Sequence, residues 1–268
     1  MDTDMNYSDT LTSQLAVVTG ASSGIGAEFA RQLAARGVDL VLVARSKDKL
    51  EELASTLRTK HGVTVRPIAL DLSQPDSSET LARTLDEQDV AVDILINNAG
   101  FASHGDLAEA DPGHMASQVQ LNVGTLVGNT TRLLPGMIER GRGTVINVAS
   151  TAGFQAVPHM AVYSATKAFV LSFTRSLWGE TRGTGVTVLG ICPGATDTPF
   201  FDVAGDNASV GSRRTPQQVV TTALAALGGR KATVVDGAGN ALVSRVVSRL
   251  VPERPLIRIA ERSVRPSA

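Results

Sequence analysis

Short runs of aliphatic and β-branched residues alternate with longer stretches of helical periodicity along most of this chain. That alternation restricts the fold more than any other feature, because it is the pattern of a parallel sheet covered by helices. Strands are predicted over residues 15–19, 39–44, 64–70, 92–97, 144–149, 186–192 and 231–235. Helices are predicted over 24–36, 47–60, 77–88, 112–140, 162–180, 215–226 and 238–250, the long fourth one bending near 124–128. In the second helix Leu50, Leu53 and Leu57 fall on one stripe. Aromatic residues make up only 4% of the chain against 43% hydrophobic, so aliphatic side chains and alanine must fill the core. No internal repeat and no proline- or serine-rich linker divides the 268 residues. The expectation is one doubly wound α/β domain over 1–268, with about seven parallel strands and helices on both faces.

The turn out of the first predicted strand reads Thr19-Gly20-Ala21-Ser22-Ser23-Gly24-Ile25-Gly26. Glycines let the backbone turn sharply and approach a ligand or the sheet. The free N–H groups at a helix start suit a pyrophosphate. The spacing differs by one residue from the common G-x-G-x-x-G fingerprint, and a purely structural turn would look similar. No Gly-Lys-Ser/Thr follows, which disfavours a phosphate-transfer loop.

The second strand ends Val43-Ala44-Arg45-Ser46-Lys47. An unphosphorylated adenosine ribose is usually held by a carboxylate at this place. Ala44 offers none, whereas Arg45 can pair with a 2′-phosphate, which favours NADP over NAD. The alternative is that Arg45 and Lys47 are solvated charges at a helix entry. Asp71-Leu72 closes the third strand; the carboxylate suits an adenine amino group and Leu72 would flank the ring, although Asp71 could equally cap its own loop. Asn97-Asn98-Ala99-Gly100 closes the fourth, where small residues permit close cofactor approach and the asparagines can tie strand ends together.

Tyr163 and Lys167 are four residues apart, one helical turn, and Ser150 precedes the tyrosine at the end of the fifth strand. A cation beside a phenol is expected to lower the phenol's pKa from about 10. Ser150 would hold a substrate oxygen, Tyr163 would exchange a proton with it, and Lys167 would stabilise the phenolate and reach the nicotinamide ribose. Asn122, an asparagine inside a predicted helix, is a plausible fourth member, placed to hold a water between Lys167 and solvent.

Taken together, TGASSGIG at 19–26, DL at 71–72, NNAG at 97–100, Asn122, Ser150, YSATK at 163–167 and PGATDTPF at 193–200 resemble the short-chain dehydrogenase/reductase family in its main single-domain type. The resemblance implies a Rossmann fold and a catalytic tetrad of Asn122, Ser150, Tyr163 and Lys167. It implies that Pro193, Gly194, Thr196 and Thr198 line the nicotinamide side, with backbone near Ile191 holding the carboxamide. Arg45 matches the arginine of the NADP-preferring branch. Members are usually homodimers or homotetramers, commonly through helices corresponding to 112–140 and 162–180.

Other chemistries are less well supplied. The formal net charge of -1 gives no argument for nucleic-acid binding. A single cysteine excludes an intrachain disulfide framework, and Cys192 reads as core. His104, His114 and His159 lack zinc-ligand spacing, and no G-x-S-x-G elbow occurs. The polar, acidic start is unlike a signal peptide, and no apolar run reaches the length of a membrane span, so a cytoplasmic location is expected. A non-enzymatic NADP-binding sensor on the same fold remains an alternative of another class.

Segments after the strand ends carry Phe101, Ala102, Phe154, Gln155, Val157, His159, Met160, Phe200 and Phe201, a largely apolar set that suits a hydrophobic ketone or secondary alcohol. The region 200–214 reads as a substrate loop. Arg213 and Arg214 within it keep alive a 3-oxoacyl thioester reductase. The tail holds six arginines and two glutamates over 245–268. It reads as a solvated segment packing a few aliphatics, or as a membrane or partner surface. Pro252 and Pro255 argue against one long amphipathic helix, and the part 252–268 is expected to be dispensable for folding and cofactor binding.

Overall fold

The structure, a computed structural model, describes residues 13–205, 212–244 and 250–265. Seven strands form one parallel sheet: β1 (Leu15–Thr19), β2 (Asp39–Ala44), β3 (Val65–Ala69), β4 (Ile94–Asn97), β5 (Gly143–Val148), β6 (Val186–Cys192) and β7 (Thr233–Val235). Their order is β3-β2-β1-β4-β5-β6-β7, with Val17 beside Val41 on one side and Leu95 on the other. The chain reverses its direction of travel across the sheet between β1 and β4. In an open parallel sheet such a switch point leaves a crevice at the carboxyl ends of the strands.

Successive residues of a strand point to opposite faces, and the two cores follow that period of two. Ala16, Val18, Leu40, Leu42, Ile94 and Ile96 pack against helices α1 (Gly24–Ala34), α2 (Lys47–His61) and, further along the sheet, α8 (Pro216–Ala225). Val17, Val41, Val43, Leu95, Val145 and Val188 face α3 (Ser77–Glu87), α5 (Thr125–Glu139) and α6 (Ala161–Glu180). The largest fully buried side chains are leucine, isoleucine and a single phenylalanine, Phe29, as the low aromatic content requires.

The predicted long helix 112–140 is interrupted before the expected bend. Helix α4 (Pro112–Val119) runs into a π-turn at Gln120–Gly124 and then into α5. The Gln120 carbonyl accepts from both the backbone N–H and the hydroxyl of Thr125, five residues on. The extra residue of a π-turn shifts the side chains that follow it around the helix, and such turns recur at functional sites. Residues 200–214 are not wholly irregular: a short helix α7 (Phe200–Ala204) opens the segment, and 206–211 lie outside the described residues. The predicted helix 238–250 begins with α9 (Ala238–Leu242), and its part at 245–249 also falls outside them.

The tail differs from expectation. Glu253–Val264 is a helix, α10, with Pro252 as its N-cap residue. Pro255 sits in the first turn, where the backbone nitrogen has no intrahelical partner to lose, so neither proline opposes the helix. Leu256, Ala260 and Val264, spaced by four, are buried. Their stripe docks the helix on the rest of the chain, as expected of a segment that packs a few aliphatics on its own protein.

Candidate active site

The loop after β1 and the end of β4 are bound to each other. Thr19 Oγ1 donates to the Ile96 carbonyl at 3.0 Å and accepts from the N–H groups of Asn98 and Ala99 at 2.9 and 3.0 Å. Asn98 Nδ2 donates to the Thr19 and Gly20 carbonyls at 2.9 and 3.3 Å. Gly26 lies against this junction: a Cβ there would stand 2.3 Å from the Gly20 carbonyl oxygen and 2.5 Å from Asn98 Nδ2. Its missing side chain therefore serves the fit of loop to strand. Gly24 has φ +54°, and a Cβ on it would meet Thr198 Cγ2 at 3.0 Å. Ser22, Ser23, Gly24 and Ile25 are half-buried, and Ser23, the N-cap residue of α1, makes no side-chain cap bond.

Around this loop the other expected nucleotide contacts take their places. Arg45 is exposed at the end of β2, and its charge helps hold the Asp71 carboxyl below the ordinary value. The larger cause of that lowering is Ser73, whose N–H and hydroxyl donate to Asp71 Oδ1 at 3.0 and 2.7 Å. Asp71 thus caps its own loop, one of the two roles its sequence position allows. Leu72 is buried. On the far side the Pro193 carbonyl accepts from Thr151 N–H at 2.9 Å, and Thr196 and Thr198 fold their hydroxyls onto backbone carbonyls at 3.1 and 3.3 Å. Gly194 backs onto Asn240, whose Nδ2 leaves no room for a Cβ. The asparagines do tie strand ends: Asn97 Nδ2 donates to Asn147 Oδ1 on β5 at 3.0 Å.

The four groups of the expected tetrad meet at the carboxyl edge of β5. Ser150 is the N-cap residue of a 3-10 turn at Thr151–Phe154, and its Oγ accepts from Ala152 N–H at 3.1 Å, which leaves its proton free to donate. Tyr163 and Lys167 lie on α6, both buried. Lys167 Nζ stands 5.8 Å from the Tyr163 ring centroid and donates to the Val148 carbonyl at 2.8 Å. Asn122 is 2% exposed inside the π-turn. It accepts from Phe101 N–H at 3.1 Å and donates to the Phe101 carbonyl and Thr166 Oγ1 at 3.0 and 3.1 Å. Gly100 permits this closeness, since a Cβ there would stand 2.8 Å from Asn122 Oδ1 and 3.8 Å from Lys167 Nζ.

One electrostatic expectation is reversed. Burial pushes the Tyr163 phenol up to about 12, a rise that its hydrogen bond with Ser150 only moderates. Burial likewise pushes Lys167 down to about 8. The lysine does not lower the phenol because the loss of water around both groups outweighs their mutual attraction, and the ammonium is turned toward Val148. The resting site therefore holds a neutral phenol at neutral pH.

The predicted substrate lining divides. Ala102, Val157, Met160 and Phe200 share a cluster with Tyr163. The Phe200 ring lies 5.6 Å from the Tyr163 ring, and Phe201 meets Phe200 edge-on. Phe154 is elsewhere, packed with Leu126 and Leu171 and covered by the Arg175 guanidinium. Phe101 meets His114 in a tilted ring contact, 4.9 Å between centroids. His159 has φ +61° and an Nδ1 contact with Asp106, while its Nε2 and Ser103 Oγ are buried without a partner among the described residues. Arg214 does not face a pocket mouth: its guanidinium grips the fully buried Asp236 carboxylate, which also accepts from Thr222. Arg213 lies over the Phe201 ring at 4.2 Å.

Several site-supporting residues escaped the sequence reading. Asn147, fully buried on β5, donates to Thr174 on α6 at 2.9 Å, and with Asn97 and Thr130 it forms a polar layer beneath the catalytic edge. An asparagine between Ile146 and Val148 in a buried strand was the available signal. Val264 joins the Tyr163 cluster from the far end of the chain, which no local pattern announces. Among the described residues no group of three or more metal-binding side chains gathers, and no helix is long and apolar enough to cross a membrane.

A glycine loop at the switch point of a parallel sheet, beside a serine, a tyrosine and a lysine, defines a nucleotide-dependent oxidoreductase. The comparisons agree: the short chain dehydrogenase family matches residues 14–208, and the chain belongs to that family. A putative ketoacyl reductase of Streptomyces coelicolor is 38% identical over 193 residues, 71% of this chain and 74% of that protein. Among solved structures, a 7beta-hydroxysteroid dehydrogenase studied for its stereoselectivity superposes with TM-score 0.85 at 27% identity, covering 94% of this chain and 98% of that one. A short-chain dehydrogenase from Sphingobium yanoikuyae in complex with NADPH superposes with TM-score 0.80 at 31% identity, covering 95% and 97%. The protein is an oxidoreductase that interconverts carbonyl and alcohol groups.

Proposed function

We propose an NADPH-dependent reductase of hydrophobic ketones or aldehydes in which Tyr163 is the proton donor. The observation that carries this is the meeting of Ser150, Tyr163 and Lys167 at a buried, apolar site, with the phenol held neutral. Ser150 donates to the carbonyl oxygen and orients it. Tyr163 delivers the proton to that oxygen as it becomes an alkoxide, and in the reverse direction accepts it from the alcohol. Lys167, protonated below about pH 8, moves from Val148 toward the phenolate that this leaves. Asn122, through its three bonds to Phe101 and Thr166, fixes the floor beneath Lys167.

The residues fit a dinucleotide. The backbone of Gly20–Gly26 offers N–H groups uncapped by side chains, Thr198 from the nicotinamide-side segment lies against Gly24, and Arg45 is exposed where a 2′-phosphate would lie. The cofactor supplies the hydride; the chain positions the carbonyl and manages the proton. The NADPH-bound Sphingobium relative supports this choice over NADH.

A thioester-reductase reading draws support from the Streptomyces relative's name and from Arg213, exposed over the Phe201 ring, but Arg214 is committed to Asp236, so only one of the two expected cations stands at the substrate side. A sensor would bind NADPH and turn nothing over. The exposed Val119, Ile138 and Phe169 on α4, α5 and α6 favour a homodimer or homotetramer through those helices. A cytoplasmic location fits the single cysteine. The test is a panel of ketones, alcohols and 3-oxoacyl thioesters assayed with NADPH and with NADH. Reduction of apolar ketones with NADPH is expected; binding of NADPH without turnover of any class would sink the proposal.

A further inference from the structure

We propose that Val264, at the end of α10, is a specificity-determining residue that limits the size of the group carried by the carbonyl. The inference rests on the carbonyl-reductase reading and deepens it. Tyr163 is only 8% exposed, so a substrate must enter by sharing the space of its apolar neighbours. Those neighbours are Ala102 after β4, Ala152, Val157 and Met160 before α6, Phe200 on α7, and Val264. Five come from segments that follow strand ends; the sixth comes from the last turn of the C-terminal helix.

The placement of Val264 is built in at three points. Leu256 and Ala260 bury the same face of α10 one and two turns earlier, so the helix is seated along its length. The opposite face carries Arg254, Arg258 and Arg262, all exposed, which fixes which side meets the protein. At the end, His104 Nε2 hydrogen-bonds the Val264 carbonyl, a group the helix itself leaves without a partner. His104 lies in the segment that leads from Gly100 and Phe101 past the catalytic edge. The helix end is therefore pinned to the same segment that Asn122 holds. Val264 is a wall; His104 is a positioning residue that acts through it.

The test is steady-state kinetics of full-length Val264→Trp, Val264→Ala, His104→Ala and His104→Gln with NADPH, on short and long methyl ketones and on short and long 3-oxoacyl thioesters. For Val264→Trp the ratio of kcat/KM for long over short substrates should fall about tenfold or more, chiefly through KM; for Val264→Ala it should rise. His104→Ala should blur the discrimination, and His104→Gln, which keeps a donor for the carbonyl, should restore it. Equal factors across all sizes in both Val264 variants, with folded protein verified by circular dichroism, would overturn the inference. Wild-type activity on thioesters alone would overturn the ketone reading while the thioester lengths still decide the role of Val264. Activity on neither class would overturn both.

Discussion

The nucleotide side and the substrate side of the catalytic edge are held by different kinds of contact. On the nucleotide side, backbone and short polar side chains meet at directional contacts: Gly26 against the Gly20 carbonyl, Asn98 Nδ2 against Thr19 and Gly20, Thr19 Oγ1 bridging two strand ends. Fixed groups at hydrogen-bond distance leave little freedom, which suits a ligand that is the same in every turnover. On the substrate side, apolar side chains from four separated segments share one cluster around Tyr163. Such contacts are non-directional, so the chain can change them without dismantling the sheet. The difference teaches where variation in this fold is tolerated: the polar junction is held by directional bonds, and the apolar cluster can be repacked.

The largest test of that division is Tyr163→Phe, which touches both sides. Turnover should fall by roughly a thousandfold, while NADPH affinity stays close to that of the wild type by fluorescence titration. Comparable turnover in the variant would remove the phenol from the mechanism.

The next effect is on stability. Lys167 is lowered from 10.5 to about 8 by burial, so the fold favours the neutral amine. Its burial costs stability fully below pH 8, and that cost disappears as pH rises to 10.5. Tyr163 is raised from 10.0 to about 12, so its contribution is complete below pH 10 and is lost between 10 and 12. Urea unfolding should show Lys167→Met more stable than wild type at pH 7 by on the order of 3 kcal/mol if the variant packs well, with the gap closing by pH 10.5. A gap independent of pH would mean that Lys167 is not titrating in the fold. The same sign makes ketone reduction insensitive to pH near neutrality and makes alcohol oxidation climb with pH.

Gly26→Ala should break the nucleotide side alone. The new methyl would meet a backbone carbonyl that cannot turn away, at a cost of about 2 kcal/mol. NADPH affinity should drop by more than tenfold while the substrate-size preference of the residual activity is unchanged. A shift in preference would show that the two sides are coupled.

The smallest effect is Arg45→Asp. NADPH should bind roughly tenfold more weakly and NADH almost as before, read by paired titrations. Equal losses for the two cofactors would make Arg45 a surface charge.

Much of this was legible in the sequence because its causes are local. Helix α2 follows from the leucine stripe at 50, 53 and 57, and β6 was bounded to the residue. The Tyr163–Lys167 pair follows from a short spacing and Ser150 from a strand end, while the full tetrad with Asn122 was what the family resemblance implied. The failures have one kind of cause. The π-turn around Asn122 depends on what α4 and α5 pack against, and the periodicity of one helix does not report it. Arg214 looked like a free cation until Asp236, distant in sequence, was seen to be its partner. The phenol's pKa was inferred from its charged neighbour, but the amount of water removed from both groups decided its direction.

By itself the sequence determined the seven parallel strands, the glycine turn at their switch point and the four polar groups expected to work there. Periodicity, turn chemistry and i,i+4 spacing act over a few residues and need no knowledge of the rest of the chain. Only the tertiary structure decided that Tyr163 rests neutral and covered, that Arg214 pairs with the buried Asp236, and that Val264 joins the apolar cluster of Tyr163. Burial and the pairing of distant residues are properties of the packed molecule, and no stretch of sequence contains them.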